Sequence, residues 1–151
     1  MQKHEILVLS IANPLLVGVY KDKNLIKTYS LEGKTSDIIA KIFTSILKEY
    51  PIKRIYYING PGSFMAIKVS YVFLKTLSIV QDIELLAVSG FEFNQNSPIK
   101  ALGNRYFMQK DGKIVISALE DEELFDFVLP KTLVDIKSSF DNLPNYILPA
   151  V

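Results

Sequence analysis

For the first thirty positions apolar residues fall in short alternating blocks, and then the period becomes helical. Glu5–Ser10 (EILVLS), Leu15–Lys21 (LLVGVYK) and Leu25–Ser30 read as three strands, separated by an Asn13-Pro14 turn and an Asp22-Lys23-Asn24 loop. Connections this short permit only antiparallel pairing. Thr35 or Ser36 then caps a helix in which Ile38, Ile39, Ile42, Phe43, Ile46, Leu47 and Tyr50 recur at helical spacing until Pro51 stops the run. Lys41, Thr44, Ser45 and Lys48 take its other face. A fourth strand at Arg54–Ile58, a second helix from about Phe64 to Val80 and a fifth strand at Glu84–Val88 follow. The two helical crossovers require parallel neighbours among the first, fourth and fifth strands.

Phe91–Ser97 (FEFNQNS) is polar and reads as a loop. It divides residues 1–92, the N-terminal lobe, from residues 93–151, a reduced C-terminal lobe. In the second part Pro98–Leu102, Arg105–Gln109, Lys113–Leu119 and Leu124–Leu129 read as short strands, with a hairpin turn at Lys110-Asp111-Gly112 and a solvated acidic loop at Glu120–Glu123. Three strands, helix, strand, helix, strand is the order of the ribonuclease-H-like lobe of actin, the Hsp70 chaperones and sugar kinases. The expected class is α/β, an actin-like lobe with a mixed five-stranded sheet and two main helices.

Charge and composition remove several classes of function. Seventeen basic and sixteen acidic residues leave a net charge of +1, with no electrostatic footprint for nucleic acid or membrane. There is no cysteine, hence no disulfide or thiol chemistry, which fits a reducing compartment. The apolar run from Ile6 to Tyr20 is broken at Asn13-Pro14, follows Glu5 and lacks a small-residue cleavage site, so it reads as two strands of a cytoplasmic protein rather than a leader. His4 is the single histidine, too little for a His-centred metal site or a Ser-His-Asp triad. A nuclease of this fold needs carboxylates on its first and fourth strands, but the first ends in Ser10 and the fourth reads RIYYI. Glu5, at the start of its strand, is expected to be solvated. A sugar-kinase-like ATPase needs an acid near the first hairpin, where Ser10-Ile11-Ala12-Asn13-Pro14 has none. No catalytic residue, metal or cofactor is expected.

Two features remain. Gly60-Pro61-Gly62-Ser63 joins a strand to a helix, and a helix N-terminus offers free N–H groups to an anion. Gly60, Gly62, Ser63 and Lys68 are the candidate contacts, but the turn lacks the Lys-Ser/Thr of a phosphate loop, and a turn with Ser63 as its cap explains it as well. The second helix is over-wide in its apolar surface. At about 100° per residue, Met65, Ala66, Ile67, Val69, Val72, Phe73, Leu74, Leu77 and Val80 spread over roughly 220°, and Lys68 and Lys75 share the remaining wedge with Phe64, Tyr71 and Ser78. Packing on a sheet uses a stripe of only a little over 100°. The excess is covered either within the chain or by another chain.

Ile6-Leu7-Val8-Leu9-Ser10, Gly18-Val19-Tyr20 and Gly60-Pro61-Gly62-Ser63-Phe64 at the head of a long helix resemble the TsaB (YeaZ) family, whose members start with a strand like ILAIDTS and carry GPGSFTGLR at the second helix. Leu86-Ala87-Val88-Ser89-Gly90-Phe91 is similar to the family's VSSL segment, and the agreement extends over residues 1–90. The resemblance implies a non-catalytic partner of TsaD, acting with a TsaE-like ATPase in threonylcarbamoyl modification of the tRNA adenosine beside the anticodon. Contact with tRNA is then indirect, through the complex, with no membrane involved. It also implies a helix-mediated interface, usable for self-association, at Ile38, Ile39, Ile42, Phe43 and Ile46 of the first helix and Met65, Val69, Val72, Phe73 and Thr76 of the second. Ser10 stands where the family often has Asp, and Met65, Ala66 and Lys68 replace Thr, Gly and Arg of the signature, which argues against nucleotide binding. The alternatives are an actin-like ATPase or phosphotransferase and a self-associating adaptor unrelated to tRNA.

Overall fold

A computed structural model describes residues 4–146. The antiparallel meander is β1 (His4–Leu9), β2 (Leu15–Lys21) and β3 (Asn24–Leu31). It leads to α1 (Thr35–Glu49), β4 (Ile52–Gly60), α2 (Phe64–Gln81) and β5 (Glu84–Ser89). β1, β4 and β5 run parallel side by side, as two helical crossovers demand. After a single helical turn at Gly90–Glu92 come β6 (Ile99–Lys100), β7 (Arg105–Lys110) and β8 (Lys113–Ala118), a separate antiparallel sheet in that order.

The main sheet has six strands, not five, ordered β3-β2-β1-β4-β5-β9. The extra strand is β9 (Ser138–Ser139), which returns late in the chain to pair antiparallel with β5. Two exposed serines carry no hydrophobic period, so only the unpaired edge of β5 makes them a strand.

Strand alternation divides the core. Ile6, Val8, Val17, Val19, Ile55 and Tyr57 point to the helices and pack on Ile39, Phe43, Ile46 and Leu74. Leu7, Leu9, Tyr20, Tyr56 and Ile58 point the other way, onto Phe93, Leu129 and Leu133. The second face is therefore covered by chain beyond residue 92, and the Tyr20 hydroxyl donates to the Pro130 carbonyl at 2.7 Å. Burying each such aliphatic or aromatic side chain contributes about 1.5–3 kcal/mol.

Two local expectations are corrected. Neither Thr35 nor Ser36 caps α1: Lys34 holds the N-cap position without a side-chain bond, and Asp37 supplies a negative charge to the first turn instead. Leu124–Leu129 forms no strand. It is held by Val128 N–H donating to the Phe93 carbonyl at 2.8 Å and Phe125 N–H to Ser97 Oγ at 3.1 Å, with Leu129 buried. Phe91–Ser97 is a run of turns, as expected, but a largely internal one: Phe91, Phe93, Asn94 and Ser97 are buried and Asn94 and Ser97 bond one another. This local pairing offsets part of the cost of burying them, although Asn94 Oδ1 has no partner among the described residues.

Candidate functional site

The Gly60–Ser63 turn sits where the carboxyl ends of β1, β4 and β5 meet the start of α2, the usual ligand position in open α/β sheets. The chain itself fills it. Asn145 N–H donates to the Asn59 carbonyl at 2.8 Å, and Asn59 Nδ2 donates to the Leu143 carbonyl at 3.1 Å. Asn142 Nδ2 donates to the Leu85 carbonyl at 2.9 Å, and the Tyr57 hydroxyl donates to the Asn142 carbonyl. Residues 142–146 thus form a strap from beside the start of β5, at Leu85, to the end of β4, at Asn59, finishing with the Tyr146 ring 4.5 Å from that of Phe64.

The strap explains the glycines. A Cβ on Gly60, whose φ is +149°, would stand 2.5 Å from the Asn145 carbonyl oxygen. A Cβ on Gly62 would lie 2.7 Å from Ile11 Cγ2. Both glycines therefore admit protein, and Ser63 Oγ accepts from the Ala66 N–H as the helix cap. Lys68 Nζ lies 5.8 Å over the Phe64 ring.

The charged groups of the sheet lie elsewhere. Glu5 is buried, contrary to its expected solvated role, and Glu5 Oε2 accepts from the Tyr56 hydroxyl (2.8 Å), Arg54 Nη1 (3.0 Å) and Lys23 Nζ (3.1 Å). Arg54 also reaches Glu84 Oε1 at 2.6 Å. Burial alone would push the Glu5 carboxyl up. The hydrogen bonds from Tyr56 and Lys23, the Lys23 charge and the Arg54 bond outweigh it and hold the carboxyl below the usual range. This cluster is at the β1 start, level with the beginning of β4, opposite the Gly60 turn. His4, bonded to the Pro51 carbonyl, shares that end, so histidine and Ser63 are at opposite ends of the sheet. Ser10 Oγ is buried with no partner among the described residues.

The feature with the best access is α2. Its sheet-facing stripe is Ile67, Ser70, Leu74 and Ser78, and the two hydroxyls bond carbonyls of their own helix, Ser70 to Ala66 and Ser78 to Lys75. The expectation that Ser78 shares the outer wedge is thus overturned, since a small serine lets the helix backbone approach the strands. The apolar side chains face outward: Met65 is 61% exposed, Val72 55% and Val80 71%. Between this face and α1 lies a groove of about 620 Å³, lined by Ser36, Ile39 and Ala40 on one side and by Met65, Val69, Val72, Phe73, Thr76, Leu77 and Val80 on the other, with Lys68 at its border.

The α2 half of the expected interface, Met65, Val69, Val72, Phe73 and Thr76, comes together in this groove, with Ile39 at its floor. The α1 half does not. Ile42, Phe43 and Ile46 are buried under α1 against the sheet, and Ile38 packs at the margin of that core. Phe43 meets the groove only indirectly, through its ring 5.9 Å from that of Phe73. The stripe of α1 is consumed by the sheet, and Ser36 and Ala40, one turn apart, form the outer wall instead. Neither belongs to the apolar stripe of α1, since small residues carry no apolar period.

No family model matches the chain, and no curated protein does. Solved structures do. YeaZ from Pseudomonas aeruginosa aligns with a TM-score of 0.55 at 12% identity, over 83% of this chain and 68% of that one. An uncharacterized protein with similarity to peptidase YeaZ from Pseudomonas aeruginosa aligns at 0.55 and 11%, over 89% of this chain and 73% of the other. The chain therefore has the fold of YeaZ, the actin-like α/β arrangement with a mixed sheet and two helices.

Proposed function

We propose that this chain is a non-catalytic scaffold that docks a TsaD-like protein through the α1/α2 groove and supports threonylcarbamoyl modification of tRNA in the cytoplasm. The observation that carries the reading is the surplus outer face of α2: Ile67, Ser70, Leu74 and Ser78 meet the sheet, while Met65, Val72 and Val80 stand exposed. Exposed apolar area of this extent is a liability without a partner. The YeaZ fold and the Gly60–Phe64 signature at the head of that helix support the choice of partner.

The turn that could have held a nucleotide is filled by residues 142–146, which favours a scaffold over an actin-like ATPase. The mean hydropathy of α2 reaches 1.3 over its 18 residues, enough by length and composition for a membrane span. Its ends, however, are joined to β4 and β5 of one sheet, so it acts as a crossover. Co-purification of the tagged chain with the TsaD-like protein of the same cell is the test. A stable complex and loss of the tRNA modification on deletion are expected. Absence of both would sink the proposal.

A further inference from the structure

We infer that the α1/α2 groove takes an amphipathic helix of a different protein whose apolar stripe is bordered by carboxylates, in preference to a second copy of this chain. The inference rests on the docking reading above and adds the chemistry of the partner.

Over Phe64–Gln81, α2 carries Lys68 and Lys75 and no acidic residue. The charges of α1 (Asp37, Lys41, Lys48 and Glu49) cancel. Lys68 and Lys75 are two helical turns apart, so at about 100° per residue they fall within roughly 20° of each other. By the same count they border the exposed Met65, Val72 and Ile79 on the side away from α1. Among the described residues neither lysine joins an ion pair. The opposite wall, Ser36, Ile39 and Ala40, is uncharged.

A helix laid in the groove thus finds an apolar floor and one cationic bank. Carboxylates along its matching edge gain two favourable pairs. A second copy related by a twofold axis presents the same α2, with two lysines and no carboxylate, so like charges approach as the apolar faces close. Such juxtaposition discriminates between partners more than it adds affinity.

Two synthetic helical peptides with one leucine stripe, bordered by Glu in one and by Lys in the other, are titrated calorimetrically into the full chain. The Glu-bordered peptide is expected to bind roughly 3- to 30-fold more tightly in low salt, as two exposed pairs allow, with the gap closing near 0.5 M salt. Lys68→Glu with Lys75→Glu, checked for an unchanged circular dichroism spectrum, should reverse the preference. Sedimentation of the chain alone should show self-association that tightens as salt rises. Equal affinities, preference for the Lys-bordered peptide, no binding of either at millimolar concentration, or a self-dimer tighter than the Glu-peptide complex overturns the inference. If the TsaD-like protein binds while the peptides show no charge preference, the scaffold reading stands and only the charge argument falls.

Discussion

The two flanks of α2 are both apolar, and the chain closes one of them and leaves the other open. On one flank Phe64 and Tyr71 are met by the chain's own strap, with Tyr146 on Phe64 and Tyr57 near both the Tyr71 ring and the Asn142 carbonyl. On the other, Val69, Phe73 and Leu77 line an open groove beside α1. The difference lies in the polar groups beside each. The strap flank offers the Asn59 amide and carbonyl and the Tyr57 hydroxyl, which pair with backbone groups of the extended segment. The groove flank offers almost none, since Thr76 Oγ1 already bonds the Val72 carbonyl. An extended chain laid there would leave its N–H and C=O groups unpaired, whereas a helix satisfies its own. Apolar surface alone does not say what covers it, but the neighbouring hydrogen-bonding groups do.

The comparison can be broken most severely from beneath the groove. Phe43→Ala removes the buried ring behind Phe73 and should cost about 3–5 kcal/mol in urea unfolding, as core truncations of this size do. A loss under 1 kcal/mol would mean that the groove floor is not part of the core. Val72→Asp tests the open flank. Partner binding should weaken by at least about 2 kcal/mol, with stability changed by no more than about 0.5 kcal/mol, because the site is exposed in the free chain. Equal losses in both measurements would show that the flank is covered within the chain.

Gly60→Ala tests the strap flank. The new Cβ meets the Asn145 carbonyl in a backbone conformation that suits glycine, so about 1–3 kcal/mol of stability should be lost. Hydrogen exchange at Asn145 should accelerate, while partner binding stays near its original strength. Unchanged exchange would argue that the strap does not hold the turn. The smallest effect is expected from acid. The Glu5 carboxyl is held below its unfolded value, so its contribution is present at neutral pH and is lost as the pH falls through the lowered folded pKa. Below about pH 4 both flanks should loosen together, and Glu5→Gln should flatten that acid slope. An unaltered slope in the variant would assign the acid sensitivity to other carboxyls.

Much of the architecture was legible in the sequence. β1, β2 and β4 alternate or run apolar between Pro and Gly breaks, and α1 has a clean helical stripe ending at Pro51, so their positions follow from local periodicity. Three other features have no such period. β9 is two serines whose strand character comes from the edge of β5. The strap acts through backbone groups and asparagines. Glu5 is buried because Lys23, Arg54 and Tyr56, distant in sequence, converge on one oxygen. Of the candidate site, the excess apolar arc of α2 was legible as surface left over after packing, while the stripe of α1 does not reveal that Ile42, Phe43 and Ile46 are used by the sheet.

The sequence by itself determined the α/β class, the order of the first seven elements, the turn at Gly60–Ser63 and the surplus of apolar surface on α2. These are properties of short windows, set by side-chain period and backbone freedom. The tertiary structure alone decided which part of that surplus stays open, and that Asn145 and Ile11 approach Gly60 and Gly62 too closely for a Cβ. Such outcomes depend on segments some eighty residues apart meeting at the Asn59–Gly60 turn, and no local pattern encodes where a returning chain lies.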